Sequence, residues 1–178
     1  MQNGTHEEVI LVNERDEAIG TMEKQEAHRK GLLHRAFSIF LFDAEGRLLL
    51  QQRAAEKYHS ASLWTNTCCS HPRPGEELAL AAARRLHEEM GQTAVLEPRF
   101  TFTYRAEVGN GLIEHELDHV FFGRATSDPV PDPAEVRAWR YVDMDELRLE
   151  METYPERFTT WLRICLPLVS EQLFTERA

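Results

Sequence analysis

Apolar and polar positions divide the chain into short segments of changing period. Glu8-Val-Ile-Leu-Val-Asn13 predicts a strand, Glu14 to Glu17 a polar turn, and Ala18 to Met22 the returning strand. Glu23 to Gly31 is polar throughout and reads as helical or irregular. Phe37-Ser-Ile-Phe-Leu-Phe-Asp43 is almost wholly apolar, the pattern of a central strand buried on both faces. Asp43-Ala-Glu-Gly46 supplies turn residues, and Arg47 to Arg53 reads as the hairpin partner of that strand.

The period changes after Pro74-Gly75. Ala79, Ala82, Ala83, Leu86 and Met90 fall at i, i+3, i+4, i+7 and i+11, predicting a helix with an apolar face of mostly small side chains. Such a face can lie close to a sheet. Glu76 and Glu77 suit the helix's positive end, and Gly91 is a natural stop. Phe100, Phe102 and Tyr104 alternate with Thr101, Thr103 and Arg105, as in a strand; Gly109-Asn110-Gly111 turns the chain, and Leu112 to Phe122 runs on. "DPVPDP" is a loop and Val136 to Val142 another strand. Asp143-Met-Asp-Glu146 resembles a capping box, and Pro155 opens a last amphipathic helix through Phe174, with a kink expected at Pro167. This order of elements predicts an α+β or α/β sandwich with a mixed β-sheet.

Composition narrows the classes of function. A chain of 178 residues suits a single domain over 1–178, and 42% hydrophobic with 28% charged residues is ordinary for a soluble globular protein. A formal charge of −10 argues against nucleic acid as a partner, because phosphate backbones need clustered Lys and Arg. No apolar run approaches the ~18 residues of a membrane span, and "MQNGTHEEVI" has no signal-peptide pattern, so no membrane partner is expected. Three cysteines, two of them adjacent, make a poor disulfide framework; reduced thiols and a cytoplasmic location are expected.

Candidate chemistry gathers in three places. Residues 64 to 72, "WTNTCCSHP", hold two adjacent thiols and a histidine, which fit a metal site, a nucleophile or two small buried residues. His28 and His34 flank the way into the Phe37 strand, yet no Cys-x-x-Cys pair marks a local zinc motif. Glu114, Glu116 and Asp118 share one face of their predicted strand, whereas Ile113, His115, Leu117, His119 and Phe121 take the other. Like charges buried together need a cation or a shared proton, so metal binding or acid–base work competes there with a plain solvated edge. Arg84–Glu88 and Arg85–Glu89 are ordinary i,i+4 pairs, but Glu89 lies one residue further around the helix and can face the sheet edge near the "CCSH" segment.

Ser70 to Gly91 resembles a degenerate Nudix box, in which a loop and helix carry glutamates that hold a divalent ion on a diphosphate. With "EKQEAHRKGLLHRAFS", "WTNTCCSHP", "TYRAE" and "IEHELDH" in order, the chain from about Glu8 to Trp161 resembles the type 1 isopentenyl diphosphate isomerases. The resemblance implies a Nudix-like mixed sheet flanked by helices, with a core over about 34–147 and terminal extensions 1–33 and 148–178 packed on it. Ser70 replaces the box's opening glycine, and Arg85 stands where hydrolases carry a water-activating glutamate. That exchange favours holding a diphosphate intact, leaving a Nudix-type diphosphate hydrolase as the alternative function. By the same resemblance the reaction is a 1,3-allylic proton shift between isopentenyl and dimethylallyl diphosphate through a carbocation. Cys69 and Glu116 are then the acid–base pair, Tyr104 their relay, and Trp161 the aromatic wall beside the cation. Cys69 is expected on a loop beside the substrate, and Cys68 is left as a packing residue. His28, His34, His71, Glu114 and Glu116 match the metal ligands, suiting Mn²⁺ or Mg²⁺ better than Zn²⁺. Lys24, Arg53, Lys57 and Arg85 match the positions that grip the diphosphate, and Glu89 would share a Mg²⁺ with it. The implied partner is this small diphosphate, bound by a monomer or alternatively a dimer.

Overall fold

The computed structural model describes residues 7–177. In chain order its elements are β1 (Glu8–Val12), β2 (Ala18–Glu23), α1 (Lys24–Lys30), β3 (His34–Phe42), β4 (Leu48–Arg53), β5 (Trp64–Thr65) and β6 (Cys68–Ser70). Then follow α2 (Leu78–Met90), β7 (Glu97–Glu107), β8 (Ile113–Arg124), β9 (Val136–Val142), α3 (Met144–Thr153) and α4 (Thr160–Arg177). Among the described residues no helix is long and apolar enough to cross a membrane.

The polar stretch before the central strand forms α1 because both its ends are capped. The Glu23 carboxylate accepts from the backbone N–H groups of Gln25 and Glu26, and Gly31 closes the helix at a φ of 62°. The continuous apolar run lies at the middle of the sheet as β3, with Phe37, Ile39, Phe40 and Leu41 fully buried. β3 pairs in parallel with β8, from His34 opposite Glu116 to Phe42 opposite Arg124. β7 continues the sheet antiparallel to β8, with Tyr104 opposite Glu116.

The expected β3–β4 hairpin needs correction. The two strands meet only at Phe42 and Leu48, and β4 then runs along β9 from Leu48–Val142 to Arg53–Val136. Into the gap comes β6, pairing Phe37 with Ser70, Ser38 with Cys69 and Ile39 with Cys68. Cys69 therefore sits on a strand and not on a loop. Side chains stitch the split. Thr67 Oγ1 donates to the Leu49 carbonyl at 2.6 Å and accepts from the Leu41 N–H at 3.0 Å, and Gln51 Nε2 donates to the Thr67 carbonyl at 2.8 Å. These bonds serve buried backbone groups that a regular ladder would have paired.

Helices cover both faces of the sheet. Phe37, Ile39, Leu41, Leu49, Cys68 and Phe121 pack against Ala81, Ala82, Leu86 and Met90 of α2. Each large side chain buried this way contributes about 1.5–3 kcal/mol relative to exposure. The predicted face of α2 is rotated, however. Ala79 and Ala83 are exposed, while Ala81, Ala82, Leu86, Glu89 and Met90 are buried. Alanine is compatible with either face, so Leu86, Met90 and the buried carboxylate of Glu89 decide the orientation. On the opposite face Phe40, Leu50, Val120 and Phe122 meet Leu147 of α3 and Leu162, Cys165, Leu166 and Val169 of α4.

Pro155 does not open α4. It starts a single 3₁₀ turn, Pro155–Arg157, after which Phe158 and Thr159 run beside β5 before the helix begins. Phe158 is 2% exposed, so its burial in the core holds this stretch extended. α4 then passes through Pro167, whose side chain lies on the exposed side, and runs to Arg177.

Candidate active site and metal centre

Strand alternation and register build the site. His34 begins β3, and its parallel neighbour on β8 is Glu116; Glu114 lies two residues earlier on the same side. His71 follows β6, and α1 presents His28. Ligating atoms of His28, His34, His71, Glu114 and Glu116 all lie within 4.8 Å of one another, and none of the five residues is more than 7% exposed. His28 Nε2 lies 2.9 Å from Glu114 Oε2, His71 Nε2 2.9 Å from Glu116 Oε1, and His34 Nε2 3.6 Å from the same Glu116 oxygen.

Protonation makes this cluster a good fit for a divalent cation. The Nδ1–H groups of His28 and His34 donate to the carbonyls of Lys24 and Leu32 at 2.7 and 2.8 Å. Each Nε2 is thereby turned toward the carboxylates, where either a proton on the ring or a divalent cation between the groups satisfies the contact. His34 Nε2 and His71 Nδ1 are buried with no hydrogen-bond partner. Burial opposes ionisation of Glu114, but hydrogen bonds from His28 and His59 hold its carboxyl well below the usual range. Burial and the charge of Glu114 likewise oppose ionisation of Glu116, and contacts with His34 and His71 outweigh them.

The remaining predicted residues lie around one cleft. Lys24, Arg53, Lys57, Arg85, Glu89, Cys69, Tyr104, Glu114, Glu116 and Trp161 line it, together with Tyr58, His59 and Ser70. Tyr104 Oη donates to Glu116 Oε2 at 2.8 Å. Cys69 is partly exposed, and its thiol is pushed up to about 12, by burial first and then by the charges of Asp118 and Glu89. The Arg53 guanidinium stacks 5.2 Å above the Trp161 ring. Arg85 reaches Glu88, Glu89 and Glu135, Lys57 also pairs with Glu135, and Lys24 pairs with Glu7 at 3.0 Å. Glu88 remains a surface partner of Arg84 and Arg85, whereas Glu89 is buried, accepting from Gln51 Nε2 at 3.0 Å.

His59 is a site residue that the sequence did not reveal. It is 5% exposed, its Nε2 lies 3.1 Å from Glu114 Oε1, and its ring meets Trp161 edge-on at 5.9 Å. It belongs to a polar loop without period, where Ser60 and Ser62 both adopt left-handed φ values of 50° and 61°. The only available signal was its position two residues after Lys57. A roomier cavity, about 770 Å³, lies at the other end of β8 near Phe122, Met144 and Phe174, and none of the predicted site residues lines it.

Residues 32–162 match the NUDIX domain family. The chain is 56% identical over 163 residues to isopentenyl-diphosphate Delta-isomerase 1 of Aromatoleum aromaticum, covering 92% of each chain. It is 55% identical over 157 residues to the isopentenyl-diphosphate Delta-isomerase of Pectobacterium atrosepticum, covering 88% of each. In fold it is similar to the crystal structure of DR0079 from Deinococcus radiodurans, with a TM-score of 0.69 and 20% identity over 83% of this chain and 90% of that one.

Proposed function

Because the chain belongs to the isopentenyl-diphosphate Delta-isomerase family and carries its NUDIX domain, we propose that Cys69 and Glu116 are the acid–base pair of an allylic proton shift. The chain is an isopentenyl-diphosphate isomerase, interconverting isopentenyl and dimethylallyl diphosphate. One observation carries the residue-level reading: a thiol, a carboxylate, an indole and four basic side chains line the same narrow cleft.

An unactivated alkene is a very poor base, so a proton must be delivered to its terminal carbon as a tertiary cation develops. A second group must remove a proton from the carbon on the other side of that cation. Cys69, held as a thiol, and Glu116, hydrogen-bonded by Tyr104, supply these two groups from β6 and β8. Tyr104 steadies the Glu116 oxygen and relays its proton. The indole of Trp161 favours the cation by about 1–2 kcal/mol in a dry site. Lys24, Arg53, Lys57 and Arg85 hold the diphosphate, and Arg85 in place of a water-activating acid leaves that diphosphate uncleaved.

A divalent ion on His28, His34, His71, Glu114 and Glu116 would neutralise the buried carboxylates and fix the Glu116 side chain. Mn²⁺ or Mg²⁺ suits five mixed nitrogen and oxygen ligands better than four-coordinate Zn²⁺. Glu89 would share a Mg²⁺ with the diphosphate, in exchange for its contact with Arg85. Because Lys24 and His28 come from the amino-terminal extension and Trp161 from the carboxy-terminal one, the chain acts as a single unit around its core. Three unpaired cysteines suit a reducing, cytoplasmic setting.

Incubation with isopentenyl diphosphate and Mg²⁺ tests the reading. Dimethylallyl diphosphate is expected; released phosphate instead would mark a hydrolase, and no conversion a binding module. In the same assay Glu116→Gln should lower turnover by about 10²–10⁴-fold. A fully active variant would remove Glu116 from the mechanism.

A further inference from the structure

Asn66 is 1% exposed, and every polar atom of its amide is committed. Nδ2 donates to the Ile39 carbonyl at 3.1 Å and to the Cys68 carbonyl at 3.0 Å. Carbonyl oxygens only accept, so these two bonds fix which end of the amide is nitrogen and turn Oδ1 the other way. Two donors converge on that oxygen, the Cys69 thiol and the Thr65 hydroxyl, each at 3.0 Å. Thr65 has a single hydroxyl hydrogen, and Asn66 Oδ1 takes it. Thr65 must therefore accept from Thr159 Oγ1, 2.9 Å away. Thr159 is fully buried; its oxygen receives the Leu162 N–H at 3.4 Å, and its own N–H donates to the Trp64 carbonyl at 2.9 Å.

The direction of every bond in this chain is thus determined. Leu162 donates to Thr159, Thr159 to Thr65 and Thr65 to Asn66, and Cys69 donates to the same Asn66 oxygen. The chain thus ends at Thr159 and Leu162, which flank Trp161 at the start of α4, and Trp161 lines the same cleft as Cys69. A residue needed only to stitch the split sheet would require the two Nδ2 bonds and nothing at Oδ1.

Resting on the reading of Cys69 as an acid–base residue, we propose that Asn66 is a positioning residue for the reaction. It holds the Cys69 S–H in one orientation and, through Thr65 and Thr159, keeps the sulfur in register with the Trp161 ring.

Infrared spectroscopy of the full chain supplied with Mg²⁺ and Mn²⁺ tests this, read beside steady-state kinetics. The S–H stretching band of Cys69 is the one that disappears in Cys69→Ala. In Asn66→Ala it should move to higher frequency, and kcat should fall by about 10- to 100-fold with KM within about twofold. That variant strips two buried carbonyls of their donor, so Thr65→Val serves as the milder probe. Removing the competing hydroxyl should move the band to lower frequency and cut kcat several-fold, and Thr65→Ser should restore both. An unmoved band in Thr65→Val, or a moved band with unchanged kcat, overturns the proposal while Cys69 keeps its role. Full turnover in Cys69→Ala would instead overturn the assignment of Cys69 itself.

Discussion

Cys68 and Cys69 are adjacent in the chain and face opposite sides of the sheet. Cys68 points toward α2, fully buried among Ile39, Leu49, Ala82 and Leu86, and burial together with the nearby Glu89 keeps its thiol well above the ordinary range. Cys69 points the other way, onto the face that carries Glu114, Glu116 and Asp118. One side of the sheet at this height is mostly hydrocarbon, with Glu89 buried beside Cys68, and the other is lined with ionisable groups. What separates the two thiols is the period-two alternation of β6, and no property of cysteine. The comparison also separates two kinds of burial. The α2 side mainly packs hydrocarbon, whereas the opposite side beside Cys69 withdraws several ionisable groups from water before giving way to the α3–α4 core.

Substitutions on the two faces should therefore fail differently. The largest effect is expected from Cys69→Ala, with a loss of turnover of about 10²–10⁴-fold, while Cys68→Ala stays within a few-fold of the parent. Equal losses would abolish the distinction between the faces. On the α2 side, Leu86→Ala should cost about 2–5 kcal/mol of unfolding free energy in denaturant titrations, because it opens a cavity against β3 and β6. Its kcat, measured where the variant is folded, should be unchanged, and a kcat loss matching that of Cys69→Ala would show the packing face taking part in the chemistry. Smaller in free energy is His28→Ala, which should weaken divalent-ion binding by at least 10- to 100-fold, judged from metal content after dialysis. Unchanged tight metal content would break up the five-ligand cluster.

Much of this arrangement could be read from the chain, and the misses have physical causes. The long apolar run of β3 and the alternation of β8 survive because each strand spans enough residues to display a period, so Glu114 and Glu116 were placed on one face correctly. β6 has only three residues and shows no period, which left Cys69 on an expected loop. The face of α2 came out rotated because its alanines fit either side. Pro155 reads as a helix start in sequence, but the burial of Phe158 postpones the helix. Asn66, Thr65 and Thr159 gave no signal, since Thr65 and Thr159 lie 94 positions apart and meet only in the fold. The motif that resembles the isomerases named the thiol; only the folded chain brings Asn66 Oδ1 to its hydrogen.

The parallel pairing of β3 with β8 has a consequence for how the protein is made. His28 and Glu114, in contact across the cluster, are separated by 86 positions. Local units such as α2 and the β7–β8 hairpin need close only short loops, whereas joining β3 to β8 encloses nearly half of the chain between them. The five clustered side chains therefore converge only when the slowest, least local contacts have formed. A nascent or misfolded chain carries the same histidines and glutamates but scatters them, so the cluster exists as a unit only in the completed fold.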